Sequence, residues 1–229
     1  GDVRIISLDK RAKKEVELTY SIKSSLGSPA TIFNASKKTN FKYEIKGINA
    51  VDVAIINLIE TETKLLDRIK KIHELGGIVS FDSVVSNALD YNLRMIDSNL
   101  PTYLGNTLLY SYENNNKDLK EIFIKANQFS DKKLGYKKLG DFLDGTSFGF
   151  IPSIKWDGIR TVNGGLLIIK DDGEVVILDL TYFKESVLKY MINESKLDSP
   201  SSTRFRMLEV YKENGKFFFT LNLQVRYKK

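Results

Sequence analysis

At 229 residues, with 42% apolar and 11% aromatic content, the chain can bury a full core and reads as globular, one large domain or two small ones. It has no cysteine, which removes disulfide scaffolds, zinc ribbons and thiol nucleophiles, and a single histidine, His73, which removes histidine-clustered metal sites. The formal net charge of +6 is compatible with a polyanionic partner without requiring one.

The first predicted element is a β-hairpin: Val3 to Leu8, a turn over Asp9 to Lys13, and a return strand ending at Ser21-Ile22-Lys23. Side chains at i, i+2 and i+4 of a strand share a face, so Ser21 and Lys23 lie on one face with Thr19, Glu17 and Glu15 behind them. The hairpin brings Asp2 towards the Ser21/Lys23 end. A hard divalent cation such as Mg2+ is held by one or two carboxylates plus phosphate oxygens, and a neighbouring lysine can stabilise the attacking hydroxide. An acid facing a lysine across two strands is the arrangement of a phosphodiesterase. The same alternation also fits an ordinary half-solvated strand, and the position where such sites hold an acid is serine here.

Three stretches follow in chain order: a strand-rich part at 1–47, a helical part at 48–147 and a mixed part at 148–229, expected to pack as one unit. In the first, a Gly/Ser/Pro connection at Ser24 to Thr31 leads to a short segment, Ile32 to Lys38, and a strand, Asn40 to Ile45. In the second, Leu65, Ile69, Ile72 and Leu75, then Leu89, Leu93, Ile96 and Leu100, then Leu119, Ile122, Phe123 and Ala126 repeat at helical spacing and read as core. Gly76-Gly77 fits a helix stop, and Pro101 and Asn114-Asn115-Asn116 mark breaks. His73 reads as a partly buried surface residue.

In the third stretch Leu166 to Lys170 and Glu174 to Leu178 join through Asp172-Gly173, and Phe205 to Lys212 pairs with Lys216 to Arg226 through Asn214-Gly215. Between these hairpins Thr181 caps a helix carrying Phe183, Val187, Leu188 and Met191. The fold class is α+β, a mixed sheet with helices inserted. No apolar run approaches the roughly 18 residues of a membrane span and no leader pattern opens the chain, so a soluble cytoplasmic protein is expected.

Ordered motifs across this frame carry a resemblance. They are Tyr20-Ser21-Ile22-Lys23-Ser24-Ser25-Leu26-Gly27-Ser28-Pro29-Ala30-Thr31, running on through Phe33-Asn34-Ala35-Ser36 to Thr39-Asn40-Phe41. Further along come Pro152-Ser153-Ile154-Lys155-Trp156-Asp157-Gly158, Gly164-Gly165, Asp172-Gly173, Ser199-Pro200-Ser201-Ser202-Thr203-Arg204 and Leu221-Asn222-Leu223-Gln224-Val225-Arg226. Over most of its length the chain resembles the HpaII-type restriction endonucleases, bacterial type II enzymes.

The resemblance implies a DNA endonuclease with a PD-(D/E)xK-like core that uses Mg2+, with Mn2+ able to substitute, and cuts double-stranded DNA at a short palindrome, CCGG for the namesake enzyme. It carries Lys23 over as the catalytic lysine and Asp2 as the metal-binding aspartate, with Ser21 standing where the motif has an acid. Glu17, Glu15 and Glu44 are the carboxylates that could replace that acid. Glu17 ranks first as metal ligand, but it lies four residues, roughly 13 Å, from Ser21 and needs a bulge to reach the same ion. Nucleases of this class usually carry a helix before the first strand, so the N-terminal part is expected to be truncated.

For base and phosphate contacts the candidates are Asn34, Asn40, Lys155, Asp157, Ser202 and Arg204: amides can bond adenine edges, arginine can bond guanine in pairs, and lysine mostly holds phosphate. Asn34 and Asn40 fit turn roles equally well, and Trp156 reads as core. A palindromic target suggests a homodimer. The alternative is a DNA-binding module or truncated fragment without nuclease activity.

Overall fold

The computed structural model describes residues 3–11, 13–24, 30–170 and 172–228. The chain opens with the hairpin β1 (Val3–Asp9) and β2 (Lys14–Ser24), then β3 (Thr31–Phe33), a 3-10 turn (Lys37–Thr39) and β4 (Asn40–Lys46). Helices α1 (Ala50–Asn57) and α2 (Lys64–Glu74) lead to β5 (Ile78–Val84), followed by α3 (Asn87–Ile96), α4 (Leu100–Asn114), α5 (Leu119–Asn127) and α6 (Lys132–Phe148). The last third holds β6 (Gly165–Ile169), β7 (Val175–Asp179), α7 (Leu180–Glu194), β8 (Ser195–Leu197), α8 (Ser202–Phe205), β9 (Tyr211–Glu213), β10 (Lys216–Asn222) and β11 (Val225–Tyr227).

These strands form a mixed sheet β1-β2-β6-β7, an antiparallel sheet β5-β4-β10-β9 and a small sheet β3-β11-β8. Early and late parts of the chain thus pair in all three. The architecture is mixed α and β, compatible with the α+β expectation. No described helix is long and apolar enough to cross a membrane.

The core is densest where alternation is cleanest. In β4 Phe41, Tyr43 and Ile45 point inward and are buried, while Asn40, Lys42 and Glu44 take the other face. The Tyr43 ring stacks on Phe219 of β10 with centroids 5.2 Å apart, and its hydroxyl donates to the Gly105 carbonyl at 2.8 Å. Burial pushes that phenol well above its ordinary pKa. Gly105 lets α4 approach the sheet, because a Cβ there would lie 2.4 Å from the Phe81 ring. Gly105→Ala is therefore expected to overpack this contact and lower stability by about 1–3 kcal/mol, read as a fall in Tm; an unchanged Tm would refute the close-approach argument.

Several expected elements are corrected. The stretch between the first two helical stripes holds strand β5, which pairs with β4 through a register shift at Lys42/Tyr43. The strand expected from Phe205 to Lys212 begins only at Tyr211, because Ser202 to Phe205 is helical and Arg206 and Leu208 have positive φ. Lys216 to Arg226 is two strands in two different sheets. The helix expected to start at Thr181 is capped instead by Asp179, whose carboxylate accepts from the Thr181 and Tyr182 amides.

The expected Gly76 stop, the Asn115 helix end and the Asp172-Gly173 and Asn214-Gly215 turns are all present. Pro101 falls in the first turn of α4, where proline is tolerated. His73 is half-exposed, with Nε2 3.1 Å from Glu113.

Candidate cleavage ribbon and nucleic-acid groove

Strand β2 sits inside the mixed sheet, antiparallel to β1 and parallel to β6. Opposite Ser21 is Leu166 and opposite Lys23 is Ile168, and β7 continues those rows with Leu178 and Val176. Leu166 and Ile168 are buried, so Ser21 and Lys23 share the covered face of this sheet, and both are half-buried. The other face bears Ile5, Val16, Ile22, Val175 and Ile177, all exposed. Alternation from sequence thus assigned the Ser21/Lys23 face, while the crossover to β6 made it the packed one.

Asp2 lies outside the described residues. Glu17 does not join Lys23: six residues at about 3.3 Å each separate them along the strand, and the register runs through β2 without a shift. The bulge that would bring Glu17 back is not there. Its carboxylate is instead 3.0 Å from Arg4 of β1. Glu44 of β4 is paired with Lys216 at 3.2 Å, in a different sheet. Among the described residues no three histidine, aspartate or glutamate side chains come together to hold an ion. Neither Glu17 nor Glu44 therefore stands beside Lys23 as a carboxylate ligand.

Two of the expected DNA contacts do come together. Asn40 and Arg204 line one groove of about 530 Å³ with Lys37, Arg206, Tyr211 and Thr220. Asn40 reaches it because it starts β4 on the uncovered face, in register with Asn222 of β10. The buried Asn222 amide donates to Asn40 Oδ1 at 2.6 Å and to the Ser36 carbonyl at 2.6 Å, which fixes the Asn40 side chain. Its Nδ2 has no partner among the described residues. Arg204 sits on α8, where the Ser201 hydroxyl accepts from its amide at 3.2 Å, and its guanidinium lies 5.3 Å from the Phe205 ring centre. Neither Arg204 nor Lys37 has an ion-pair partner among the described residues, whereas Arg206 is held by Glu209 at 2.7 Å.

Beside this groove Lys42 extends over Phe218 at 4.0 Å and contacts Glu213 at 2.7 Å. Desolvation opposes its charge, but the hydrogen bond to Glu213 and the nearby Tyr211, Glu213 and Asp82 outweigh it, and its pKa is raised. The ammonium stays charged across the physiological range.

The groove's far wall is pinned from below. Arg68 of α2 is buried and donates to the carbonyls of Ile59 (3.1 Å), Leu208 (3.0 Å) and Asn57 (2.8 Å), and to Glu60 (2.8 Å). Asn57 exchanges two hydrogen bonds with the Val210 backbone, at 2.8 and 2.9 Å. Arg206 and Leu208, with φ of 51° and 55°, occupy the left-handed region that non-glycine residues rarely adopt, and such strain persists only where the surroundings over-determine it. Sequence reasoning missed Arg68, because a buried arginine on an amphipathic helix looks like any solvated charge.

The other expected contacts are elsewhere. Asn34 is exposed after β3, and Ser202 opens α8 and lines a neighbouring cavity with Arg68 and Glu60. Lys155 and Asp157 lie in the loop after α6, which buried Asn92 of α3 holds by donating to the Ile151 and Ile154 carbonyls and accepting from the Trp156 amide at 2.7 Å. Lys155 lies 5.2 Å from the Tyr91 ring centre, and Asp157 accepts from the Ile159 amide at 2.9 Å, a turn role. Trp156 packs partly against the core, as expected.

Comparison with known proteins adds an independent finding. The sequence model described as HpaII restriction endonuclease matches residues 1–227. The type II restriction enzyme HpaII of Haemophilus parainfluenzae is 33% identical over 235 residues, covering 99% of this chain and 64% of that relative. The chain thus spans just under two thirds of the length of the curated relative it matches. No solved structure matches it.

Proposed function

The chain belongs to the HpaII restriction endonuclease family, and from that premise we propose that it takes part in site-specific hydrolysis of double-stranded DNA as a type II endonuclease. The observation that carries this reading is the family match over residues 1–227, which takes in both the Lys23 ribbon and the Asn40/Arg204 groove. We read the mixed sheet as a PD-(D/E)xK-like core in which Ser21-Ile22-Lys23 stands for the acid-x-Lys element. The Lys23 ammonium stabilises negative charge building on the phosphate, and the groove holds DNA through Lys37 and reads base edges through Asn40 and Arg204. A palindromic, CCGG-like target cut in the cytoplasm by a two-fold dimer follows from the same family reading.

The reaction class implies a divalent ion, Mg2+ or Mn2+, with Asp2 and Glu17 as the ligands first expected. No cluster of three such ligands lies among the described residues, and Asp2 lies outside them, so the chemistry assigned to this chain is confined to Lys23 and the groove. The alternative reading is a DNA-binding relative without cleavage. A plasmid digest with added magnesium separates the two: discrete fragments support the endonuclease, and intact plasmid bound in a salt-sensitive way supports the binding module.

Arg204→Ala is expected to weaken binding to the cognate duplex by about 1–3 kcal/mol, a loss of roughly 5- to 150-fold, and to relax preference at one base pair. Titration of fluorescent duplexes at fixed salt measures this. Equal weakening on every sequence would assign Arg204 to phosphate instead of a base.

A further inference from the structure

We propose that Asn163 is a positioning residue for the strand that carries Ser21 and Lys23, an inference that rests on the reading of Lys23 given above. Asn163 precedes β6 and is exposed, yet its side chain is engaged by β2 at three points. Oδ1 accepts from the Thr19 amide at 2.7 Å and from the Thr19 hydroxyl at 3.0 Å, and Nδ2 donates to the Glu17 carbonyl at 3.1 Å. Its backbone amide adds a fourth bond, to Thr19 Oγ1 at 3.1 Å, and the next amide, Gly164, donates to the Thr19 carbonyl at 2.8 Å. A Cβ at Gly164 would lie 2.6 Å from the Tyr20 ring, so the approach needs glycine.

The location of these bonds suggests what they do. Parallel pairing of β2 with β6 begins at Tyr20↔Gly165, immediately beyond the latch, and continues through Ser21↔Leu166 to Lys23↔Ile168. The β1–β2 and β6–β7 registers are set by short turns, but β2 and β6 are joined by more than a hundred residues, so no turn sets theirs. A slip of one residue would move every side chain to the opposite face and carry Lys23 out of the covered side. The segment bearing Asn163 is itself fixed: the Thr161 amide donates to the Phe148 carbonyl at 2.8 Å, and Arg160 pairs with Asp144 of α6. The latch thus refers the position of Lys23 to the helical layer.

Asn163→Ala removes the three side-chain bonds and little apolar burial. Its single-turnover cleavage of plasmid in magnesium chloride should fall by roughly 100-fold, the scale of an ångström-level misplacement, while affinity for a duplex spanning the mapped cut is unchanged. Asn163→Asp keeps both bonds accepted from Thr19, loses only the donor to Glu17, and should recover an intermediate rate. Hydrogen exchange gives a readout independent of cleavage: in Asn163→Ala the amides of Ser21 to Ser24 should exchange faster while those of β4 and β10 keep their protection.

A parental cleavage rate in Asn163→Ala, or unchanged exchange at Ser21 to Ser24, overturns the proposal. So does an equal loss of rate, affinity and Tm, which is what a purely structural residue gives. Lys23→Ala run alongside keeps the two failures apart. Normal cutting by that variant removes the reading of Lys23, whereas its inactivity beside a fully active Asn163→Ala removes only the latch.

Discussion

Lys23→Ala is expected to lower the rate of plasmid cleavage by about 100- to 1000-fold while leaving duplex affinity close to that of the parent, the pattern of a group whose charge matters in the transition state more than in binding. Lys23 is half-buried on the packed face of the mixed sheet, in register with buried Ile168. A cation beside that apolar row is poorly screened by water, so its interaction with a charged phosphate is strengthened. It is one ammonium among the 35 basic residues of the chain, so its removal subtracts little from the field that attracts DNA. The measurement is single-turnover digestion against equilibrium binding in the same salt. Cleavage at the parental rate would dismiss Lys23 as a catalytic group, and matched losses of rate and affinity would make it a phosphate anchor.

The second large effect is on stability. Arg68→Met should cost about 3–5 kcal/mol, because it leaves the buried Leu208 carbonyl and the part-buried Ile59 and Asn57 carbonyls without their donor, a fully buried unmet group costing about 1–3 kcal/mol. Against a total of roughly 5–15 kcal/mol that is a large fraction, visible as a shift of the urea midpoint. The loss should be felt first at the groove. The Leu208 carbonyl lies in the positive-φ turn that follows Arg204, and without Arg68 the turn keeps only the Asn57 bonds to Val210 and its own backbone bonds. DNA affinity of the folded fraction should therefore fall as well. A stable Arg68→Met protein with full affinity would show that the turn needs no clamp.

Much of the local structure was legible because its causes are local. The β1–β2 ribbon, the Asp172-Gly173 and Asn214-Gly215 turns, the Gly76 stop and the apolar stripes of α2, α3 and α5 each follow from residues within one turn or one strand length of each other. Strand β5 escaped because its alternation is interrupted where the β4 pairing shifts register, and because helical stripes flank it on both sides. The strand expected from Phe205 had the right apolar spacing, yet Arg206 ends α8 as its left-handed cap, and the backbone at Leu208 and Val210 is bonded by Arg68 and Asn57, more than a hundred residues away. The cap at Asp179 was missed in favour of Thr181 because both are good capping residues and only the end of β7 decides between them.

For the site the division is similar. Composition excluded thiol chemistry and histidine-clustered metal sites, period-two alternation put Ser21 and Lys23 on one face, and the ordered motifs pointed to the family; all of that is written in residue types and short spacings. Which face of the ribbon is covered, that Glu17 is spent on Arg4, that Asn40 and Arg204 line one groove, and that Asn163 fixes the strand of Lys23 were decided by the tertiary structure. Each depends on pairing between strands or helices far apart in sequence, and contacts over such separations leave no mark in the periodicity of either partner alone.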